Sequence, residues 1–448
     1  MDIFLLTGLL IFNLLFFWKI WLNPFILSRS ELLSTFFPSW LYIGRQIRKG
    51  ESWKYEPCYW LNFHAHPVLS SYYPPNVLTA WIGAYLSLDS AFVLLTRTLL
   101  LHFVLQSFLW YWLLQVVYSP LIALFGSVIL TYGAYQMKQQ PCIVYTLTWF
   151  PLALNTDPML SALGVGLILL AGYYPLAIYL IPTAIIAQLV WHSNLWCALG
   201  FLIGFPQIIT FMRYLPKTIR QKTSSRLEVG KHEKSWYIGI LPGILALFST
   251  SSIWPLFILS LVMSRGYFGK YLPRIHERWL VLTQFSLGWM AISGLSNLNL
   301  PNNLLLLCLF LACFDLLQRT SRLLPMEQCE LWQRPARAFK SQMLAYIQKN
   351  IKPDERVSGL PYPLFTGIIN NIKTLGYCGG MQLSLMAKWR NDNDPNGGGE
   401  HDWFRRNQDS ESLDRSRVRF SFSCKELDRL YSWKKTPFKR LWENPRLT

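Results

Sequence analysis

Long apolar stretches separated by short polar joints fill most of the chain before residue 320. The first, residues 3–22, is long enough to cross the roughly 30 Å hydrocarbon core of a bilayer. The pattern predicts an all-α polytopic membrane protein of about 10–12 transmembrane helices. Pro or Gly marks several joints between the later apolar runs, which lie near 77–91, 92–117, 119–135, 140–156, 158–173, 175–191, 195–212, 237–263, 279–297 and 303–318.

One polar segment, residues 23–75, interrupts this series early. Loops longer than about 12–15 residues are usually either functional or disordered. This one contains too many aromatic residues for a disordered segment. We therefore expect residues 23–75 to form one wall of an active site at the membrane surface.

Loop charge predicts the topology. The basic loops 213–235 and 264–278 should both be cytoplasmic. A single pass between them would put them on opposite sides, so the run 237–263, broken at Ser249–Ser252, is expected to be a hairpin of two short passes. With this choice the segment 23–75 and Asp157 fall outside.

Residues 1–319 are thus expected to form a transmembrane domain with a large external loop. Of the 24 acidic residues, ten precede Thr320 and fourteen follow it. This shift predicts a soluble C-terminal region, residues 320–448, and its Gly and Pro residues indicate mixed α/β structure. Because the chain ends abruptly at RLWENPRLT, the region is expected to be incomplete. A short amphipathic helix is expected at 336–349.

The net charge of +18 does not indicate a nucleic-acid partner. Basic excess is ordinary in a membrane protein with cytoplasmic Lys/Arg-rich loops, and no nucleic-acid-binding motif accompanies it. The eight cysteines are scattered without a Cys-x-x-Cys pair, which excludes the usual zinc and redox motifs.

Carboxylates on the predicted outer side are the candidate catalytic groups, because a transfer reaction at the surface needs a base or an orienting group. Glu31, which precedes the aromatic step Phe36-Phe37-Pro38, is the first candidate and Asp157 the second. The alternative for Glu31 is a solvated interfacial charge.

Candidate substrate-binding residues also fall in the polar segment. Arginine forks suit phosphate oxygens, and the alternative for them is contact with lipid headgroups. Aromatic rings suit stacking on sugars, and the alternative is an interfacial belt. The candidates are Arg29, Arg45, Arg48, Trp53, Trp60, His64, His66, Tyr72 and Tyr73.

No cofactor is assigned from the sequence, and a divalent metal is left open. The His64-x-His66 pair is a weak metal signal by itself. The run Asp392–Gly397 matches the first half of a calcium loop, but Trp403 occupies the closing acidic position. A Gly-rich turn is the simpler interpretation of that run.

Several segments together resemble the YfhO-like family of bacterial membrane proteins. In the first loop these are SELLSTFFPSW, RQIRKGESW and HPVLSSYYPPNVL. Later segments are TWFPLAL, LLAGYYPLAIYL and YIGILPGILAL, and the chain ends with LWENPR. The motifs are loose but extend over most of the chain.

The resemblance implies a GT-C-class glycosyltransferase in the bacterial cytoplasmic (inner) membrane. Such an enzyme takes a sugar from a polyprenyl-phosphate-linked donor on the outer face and passes it to an envelope polymer or glycolipid. Membrane lipids are its other expected partners. The chain departs from the family at Glu31, where Asp is usual, at Tyr173, where His is common, and at His64–His66. The family pattern also continues beyond Thr448, so a truncated copy is left open.

The competing hypothesis is a non-enzymatic membrane protein, either a transporter of lipid-linked sugars or an envelope assembly factor. A transporter is expected to show inverted repeats and acidic residues at mid-membrane. The sequence contains no evident repeat, and most acidic residues lie at the ends of apolar runs. These features favour the enzyme.

Overall fold

The computed structural model describes 3–29, 32–53, 55–56, 61–62, 70–134, 141–192, 195–214, 237–264, 279–319, 334–336, 342–352, 354–358, 369–372, 374–375, 418–422 and 441–443. Within these residues the chain is mainly helical. Helices before residue 200 are α1 (Ile3–Phe16), α2 (Trp18–Leu22), α3 (Phe37–Lys49), α4 (Pro74–Gly83), α5 (Leu88–Leu114), α6 (Pro120–Tyr132), α7 (Pro141–Thr148), α8 (Phe150–Ala153), α9 (Pro158–Ala171) and α10 (Tyr174–His192). Later helices are α11 (Gly200–Tyr214), α12 (Ile240–Ala246), α13 (Trp254–Ser264), α14 (Leu280–Asn297), α15 (Asn302–Arg319) and α16 (Gln342–Asn350).

Three described helical segments are long and apolar enough to cross a membrane. They are α5, the segment Trp196–Arg213 and α15. Shorter apolar helices of 10–17 residues precede the first span and lie between the three. Every apolar run of the sequence contains at least one helix, which confirms the expected helical class. The number of crossings, 10–12, stays a prediction.

The prediction of a loop at 23–75 is wrong for residues 24–29 and 32–49, which are helical. A 3₁₀ segment, Pro24–Arg29, and a π-helical turn, Leu32–Phe36, precede α3. Helix α3 buries one apolar face and ends at Gly50, whose φ of 71° suits glycine. The polar composition of the segment, rich in Trp, Tyr, His and Pro, predicts a loop, whereas the helix α3 is stabilised by burying its apolar face.

The chain divides into two compact units. The first comprises Met1–Pro24, Thr96–Pro206 and Ser224–Met326, and the second comprises Phe25–Leu95, Gln207–Thr223 and Glu327–Thr448. The polar segment 25–75 therefore belongs to the same unit as the C-terminal third.

Tyr132 of α6 lies at the centre of the packing between α1, α5 and α6 in the first unit. Its hydroxyl accepts a hydrogen bond from the Asn13 amide at 2.9 Å. Four phenylalanine rings surround it at centroid distances between 4.9 and 6.5 Å: Phe12, Phe16, Phe17 and Phe103. Both polar groups are fully buried, so the bond between them offsets the cost of removing them from water.

Asp315 of α15 joins α12 to the first unit's bundle. Its Oδ2 accepts hydrogen bonds from the Tyr237 hydroxyl at 2.5 Å and from the Ile240 backbone N–H at 2.8 Å. Its Oδ1 lies 3.0 Å from Nε of Arg319. An acidic group in a membrane helix is thus paired, as its solvation cost requires.

The run 237–263 breaks where the sequence predicted. Helix α12 ends at Ala246 and α13 begins at Trp254. The Asn297 side-chain amide donates to the Phe248 carbonyl at 3.1 Å and to the Thr250 hydroxyl at 3.2 Å. These bonds hold the turn between the two helices against the C-terminal end of α14.

Helices α3 and α4 pack tightly against each other in the second unit. A Cβ on Gly44 would overlap the carbonyl oxygen of Ala80, and a Cβ on Gly83 would overlap the Trp40 ring. The Trp40 indole donates to the Thr79 hydroxyl at 3.3 Å. Small residues therefore permit the close approach of the two helices.

Short strands and one helix are described in the C-terminal third. The strands β3 (Arg356–Ser358), β4 (Thr374–Leu375), β5 (Val418–Phe422) and β6 (Leu441–Glu443) form a sheet of order β4-β3-β5-β6. Another short pair joins β1 (Tyr55–Glu56) to β2 (Leu61–Asn62). Leu344 and Ile347 of α16 pack with Val357 and Ile372. Because most of 320–448 lies outside the described residues, a mixed α/β region stays a prediction.

We predict that Gly44→Ala destabilises the protein, because its methyl group must displace the Ala80 carbonyl. Overpacking of this kind typically costs about 1–3 kcal/mol. The expected result is a lower melting temperature in detergent. Gly8→Ala is the matched control, since nothing lies within 4 Å of its added Cβ, and it should leave the melting temperature unchanged or raise it. Equal melting temperatures for the two variants would contradict the prediction.

Candidate functional site

An apolar cavity of about 500 Å³ lies within the first unit. It is formed by the C-terminal end of α5, the turn before α9, helix α10, the turn between α12 and α13, and α14. Most lining groups are aliphatic or aromatic, with a few hydroxyls among them. The lining residues are Leu113, Val116, Val117, Leu154, Thr156, Thr183, Ile186, Ala187, Val190, Ser251, Ser252, Ile253, Leu256, Phe285 and Trp289.

Asp157 lies next to this lining, one residue after Thr156. It caps helix α9: its Oδ1 accepts hydrogen bonds from the backbone N–H groups of Met159 at 2.9 Å and Leu160 at 3.0 Å. The side chain is exposed, and its Oδ2 makes no hydrogen bond to the described residues. Capping therefore fixes the carboxylate in one orientation and leaves one oxygen open.

Gln188 of α10 holds the turn that carries Asp157. Its Nε2 donates to the Asn155 carbonyl at 2.5 Å and to the Ser161 hydroxyl at 3.2 Å. Asn155 Oδ1 in turn accepts from the Asp157 N–H at 2.9 Å. Gln188 is only 1% exposed, so these bonds are made in an apolar environment, where they are costly to lose.

The predicted topology assigns the cavity to the outer side. The loops 213–235 and 264–278 are expected in the cytoplasm, and the Ser249–Ser252 turn between them is expected outside. That expectation counts α12 and α13, of seven and eleven residues, as the two short passes of a hairpin, and it stays a prediction. Counting passes back from residue 213 through α11, α10 and α9 also puts Asp157 outside. On this predicted topology the cavity and the Asp157 carboxylate lie at the same, outer end of the helices.

The structure describes only some of the residues predicted for a site in the polar segment. Glu31, Trp60, His64 and His66 lie outside the described residues. Arg29 ends the 3₁₀ segment Pro24–Arg29, and its side chain is not described. Their proposed roles stay predictions.

Two of the predicted arginines make contacts on α3. Arg45 Nη1 donates to the Ile369 carbonyl at 3.1 Å, and burial lowers its pKa. Arg48 Nη1 donates to the Ala84 carbonyl at 3.1 Å, and its guanidinium lies 4.6 Å from the centre of the Tyr85 ring. A guanidinium has five N–H groups, so these contacts leave donors for a phosphate.

The aromatic candidates differ in exposure. Trp53 and Tyr72 are half-buried, so parts of their rings remain open to a ligand. Tyr73 is fully buried, and its ring has no face open to a sugar. The burial of Tyr73 at the start of α4 therefore gives no support to the substrate-binding role predicted for it.

Sequence reasoning missed the cavity and Gln188. The cavity is built from segments separated by up to 176 positions, from Leu113 to Trp289, which no local pattern links. Gln188 carried a signal, because a side-chain amide within an apolar helix needs a partner. Among the described residues no group of three or more His, Cys, Asp or Glu could hold a metal. His64, His66 and Asp392–Gly397 lie outside them.

Comparison with known proteins adds no relative: no protein-family model matches the sequence, and no curated protein matches it significantly. The resemblance to the YfhO-like family therefore stays a prediction drawn from the motifs.

The capping geometry predicts different effects for two substitutions of Asp157. Asparagine is as good an N-cap as aspartate, whereas alanine caps poorly. Asp157→Ala is expected to destabilise α9 by about 1 kcal/mol and to lower the melting temperature in detergent, and Asp157→Asn should not. If the two variants melt alike, the capping role of Asp157 is refuted.

Proposed function

We propose that the chain is a GT-C-like glycosyltransferase of the bacterial cytoplasmic membrane. It transfers a sugar from a polyprenyl-phosphate-linked donor to an envelope polymer or glycolipid. The observation that carries this proposal is the apolar cavity beside the exposed carboxylate of Asp157. The resemblance to the YfhO-like family supports it independently.

The cavity suits the hydrocarbon part of such a donor. Ligand sites commonly have volumes of about 300–1,000 Å³ and are mainly apolar, with a few placed polar groups. Here aliphatic and aromatic side chains form the walls, and the hydroxyls of Thr156, Ser251 and Ser252 lie among them. An isoprenoid chain would occupy the apolar walls and leave its phosphate and sugar near the turn 155–157.

Asp157 would act as base or as orienter of the acceptor hydroxyl. A carboxylate that accepts a proton from the acceptor accelerates transfer by roughly 10²–10⁴-fold. Its Oδ1 is held by two N–H groups, so Oδ2 is the oxygen for this role. Gln188 keeps the turn in position through Asn155. Glu31 remains the base that the family resemblance implies.

A second candidate function is lipid-linked-sugar binding without chemistry, in a transporter or an assembly factor. The capping of α9 by Asp157 favours it, because a structural role alone accounts for that carboxylate. The two functions share the cavity and differ in their need for the carboxylate charge.

The substitution Asp157→Asn distinguishes the glycosyltransferase from the non-enzymatic binding protein. It keeps the helix cap and removes the base, so the enzyme predicts a fall in transfer of about 100-fold or more. Mass spectrometry of envelope polymers and glycolipids measures the product in cells lacking the gene and in cells complemented with each variant. Asp354→Asn, an exposed aspartate in the C-terminal third, is the control. Full product with Asp157→Asn refutes the catalytic role of Asp157, and Glu31→Gln tests Glu31 in the same assay.

Filling the cavity tests the binding mode. Ala187→Trp puts a large ring into the cavity, whereas Leu189→Trp changes a neighbouring exposed residue that does not line it. We predict that Ala187→Trp weakens the binding of a radiolabelled polyprenyl phosphate to the purified protein at least about tenfold, since the ring and the chain compete for one volume. Leu189→Trp should bind like the parent. Equal binding by both variants contradicts a donor in this cavity.

A further inference from the structure

Helix α4 does not cross the membrane. It has ten residues, so its length is roughly 15 Å, about half the thickness of the hydrocarbon core. It ends at Gly83, and α5, which is long enough to cross, begins at Leu88. The Ser87 hydroxyl accepts from the Ser90 N–H at 3.2 Å and fixes that start. Helix α4 therefore stays on the side of the membrane from which α5 enters.

One face of α4 is apolar and uncovered. Asn76, Ala80 and Gly83 are buried, and the last two lie against α3. The opposite face of the helix and the turn after it carry large side chains that are 41–57% exposed: Leu78, Trp81, Ile82, Tyr85 and Leu86. We call this face, with Arg48 and Lys49, the α3–α4 surface.

Basic groups border the apolar face. Arg48 donates a hydrogen bond to the Ala84 carbonyl, just after the end of α4, and its guanidinium lies over the Tyr85 ring. Lys49 follows it at the end of α3. Both are exposed. Trp and Tyr rings next to Arg and Lys are the composition of helices that lie in the headgroup layer. One exposed acidic residue, Glu51, follows Gly50 at the end of α3 and lies next to the two basic residues in the sequence.

Contacts within the second unit indicate on which side this surface lies. Arg45 of α3 binds the Ile369 carbonyl, and Asp89 at the start of α5 accepts from the Ala336 N–H at 2.8 Å. The same unit contains Gln207–Thr223, where the first basic loop begins. The charge of that loop predicts that it lies in the cytoplasm, and its first basic residue, Arg213, lies in the last turn of α11 within this range.

We infer that the α3–α4 surface lies on the cytoplasmic side and binds the anionic lipid headgroups of the inner leaflet. Because α4 leads directly into α5, the surface lies close to the membrane. Its exposed Trp81 and Tyr85 rings suit the headgroup layer. The positive charges of Arg48 and Lys49 complement the negative charge of the inner leaflet. The inference reverses the side predicted from the sequence for residues 23–75, because that prediction counted the run 77–91 as a crossing. It does not depend on the proposed glycosyl transfer.

Labelling intact cells with a membrane-impermeant maleimide tests the side. Glu51→Cys and Lys352→Cys change exposed positions in the second unit, and Ser252→Cys changes the exposed turn that is expected outside. Mass spectrometry of peptides identifies the labelled cysteine. We expect Ser252→Cys to react in intact cells, and the other two only after permeabilisation. Labelling of Glu51→Cys in intact cells overturns the inference.

Reconstitution tests the ligand. The parent and an Arg48→Gln, Lys49→Gln double variant are placed in nanodiscs of phosphatidylcholine with one-fifth phosphatidylglycerol, and the anionic lipid retained after extraction is quantified. We expect retention by the double variant to fall about tenfold or more, since each charge near the surface contributes several-fold. The control, Lys349→Gln with Lys352→Gln, should retain lipid like the parent. Unchanged retention by the double variant overturns the headgroup site, whatever the labelling shows.

Discussion

Hydrocarbon supplies no hydrogen bonds, so each polar group in an apolar helix must find its partner within the protein. Several contacts in this chain meet that requirement. Asn13 bonds to Tyr132 inside a ring of phenylalanines, Gln188 bonds to Asn155 and Ser161, and Asp315 accepts from Tyr237 and Ile240. These pairs help to determine which helices lie beside each other, because a polar group left without a hydrogen-bond partner in an apolar environment costs more free energy than one in water.

The same requirement links the packing of the first unit to its candidate site. Gln188 contributes to stability by satisfying the Asn155 carbonyl, and by doing so it fixes the turn that carries Asp157. The cap at α9 then orients the carboxylate. A structural role and a chemical role for Asp157 are compatible, because they use different oxygens of one group.

Length is the second constraint, and it bears on topology. Helix α4 is too short to cross a bilayer, so the segment before α5 and the start of α5 share one side. If that side is the cytoplasm, Glu31 does not face the outer leaflet, where a polyprenyl-linked donor is expected. The outer carboxylate is then Asp157, and the arginines of α3 belong to the inner surface. Function and topology can therefore be tested separately.

The sequence by itself determined the helical class and the position of nearly every helix, because apolar runs and their Pro or Gly joints are local signals. It also predicted the break near Ser249–Ser252, which polar residues in an apolar run reveal. Only the tertiary structure decided which helix ends and turns line the cavity. It also showed that Asp157 caps α9 and that residues 25–75 belong to the same unit as the C-terminal third. These features depend on contacts between positions far apart in the chain, and hydrophobic periodicity carries no information about such contacts.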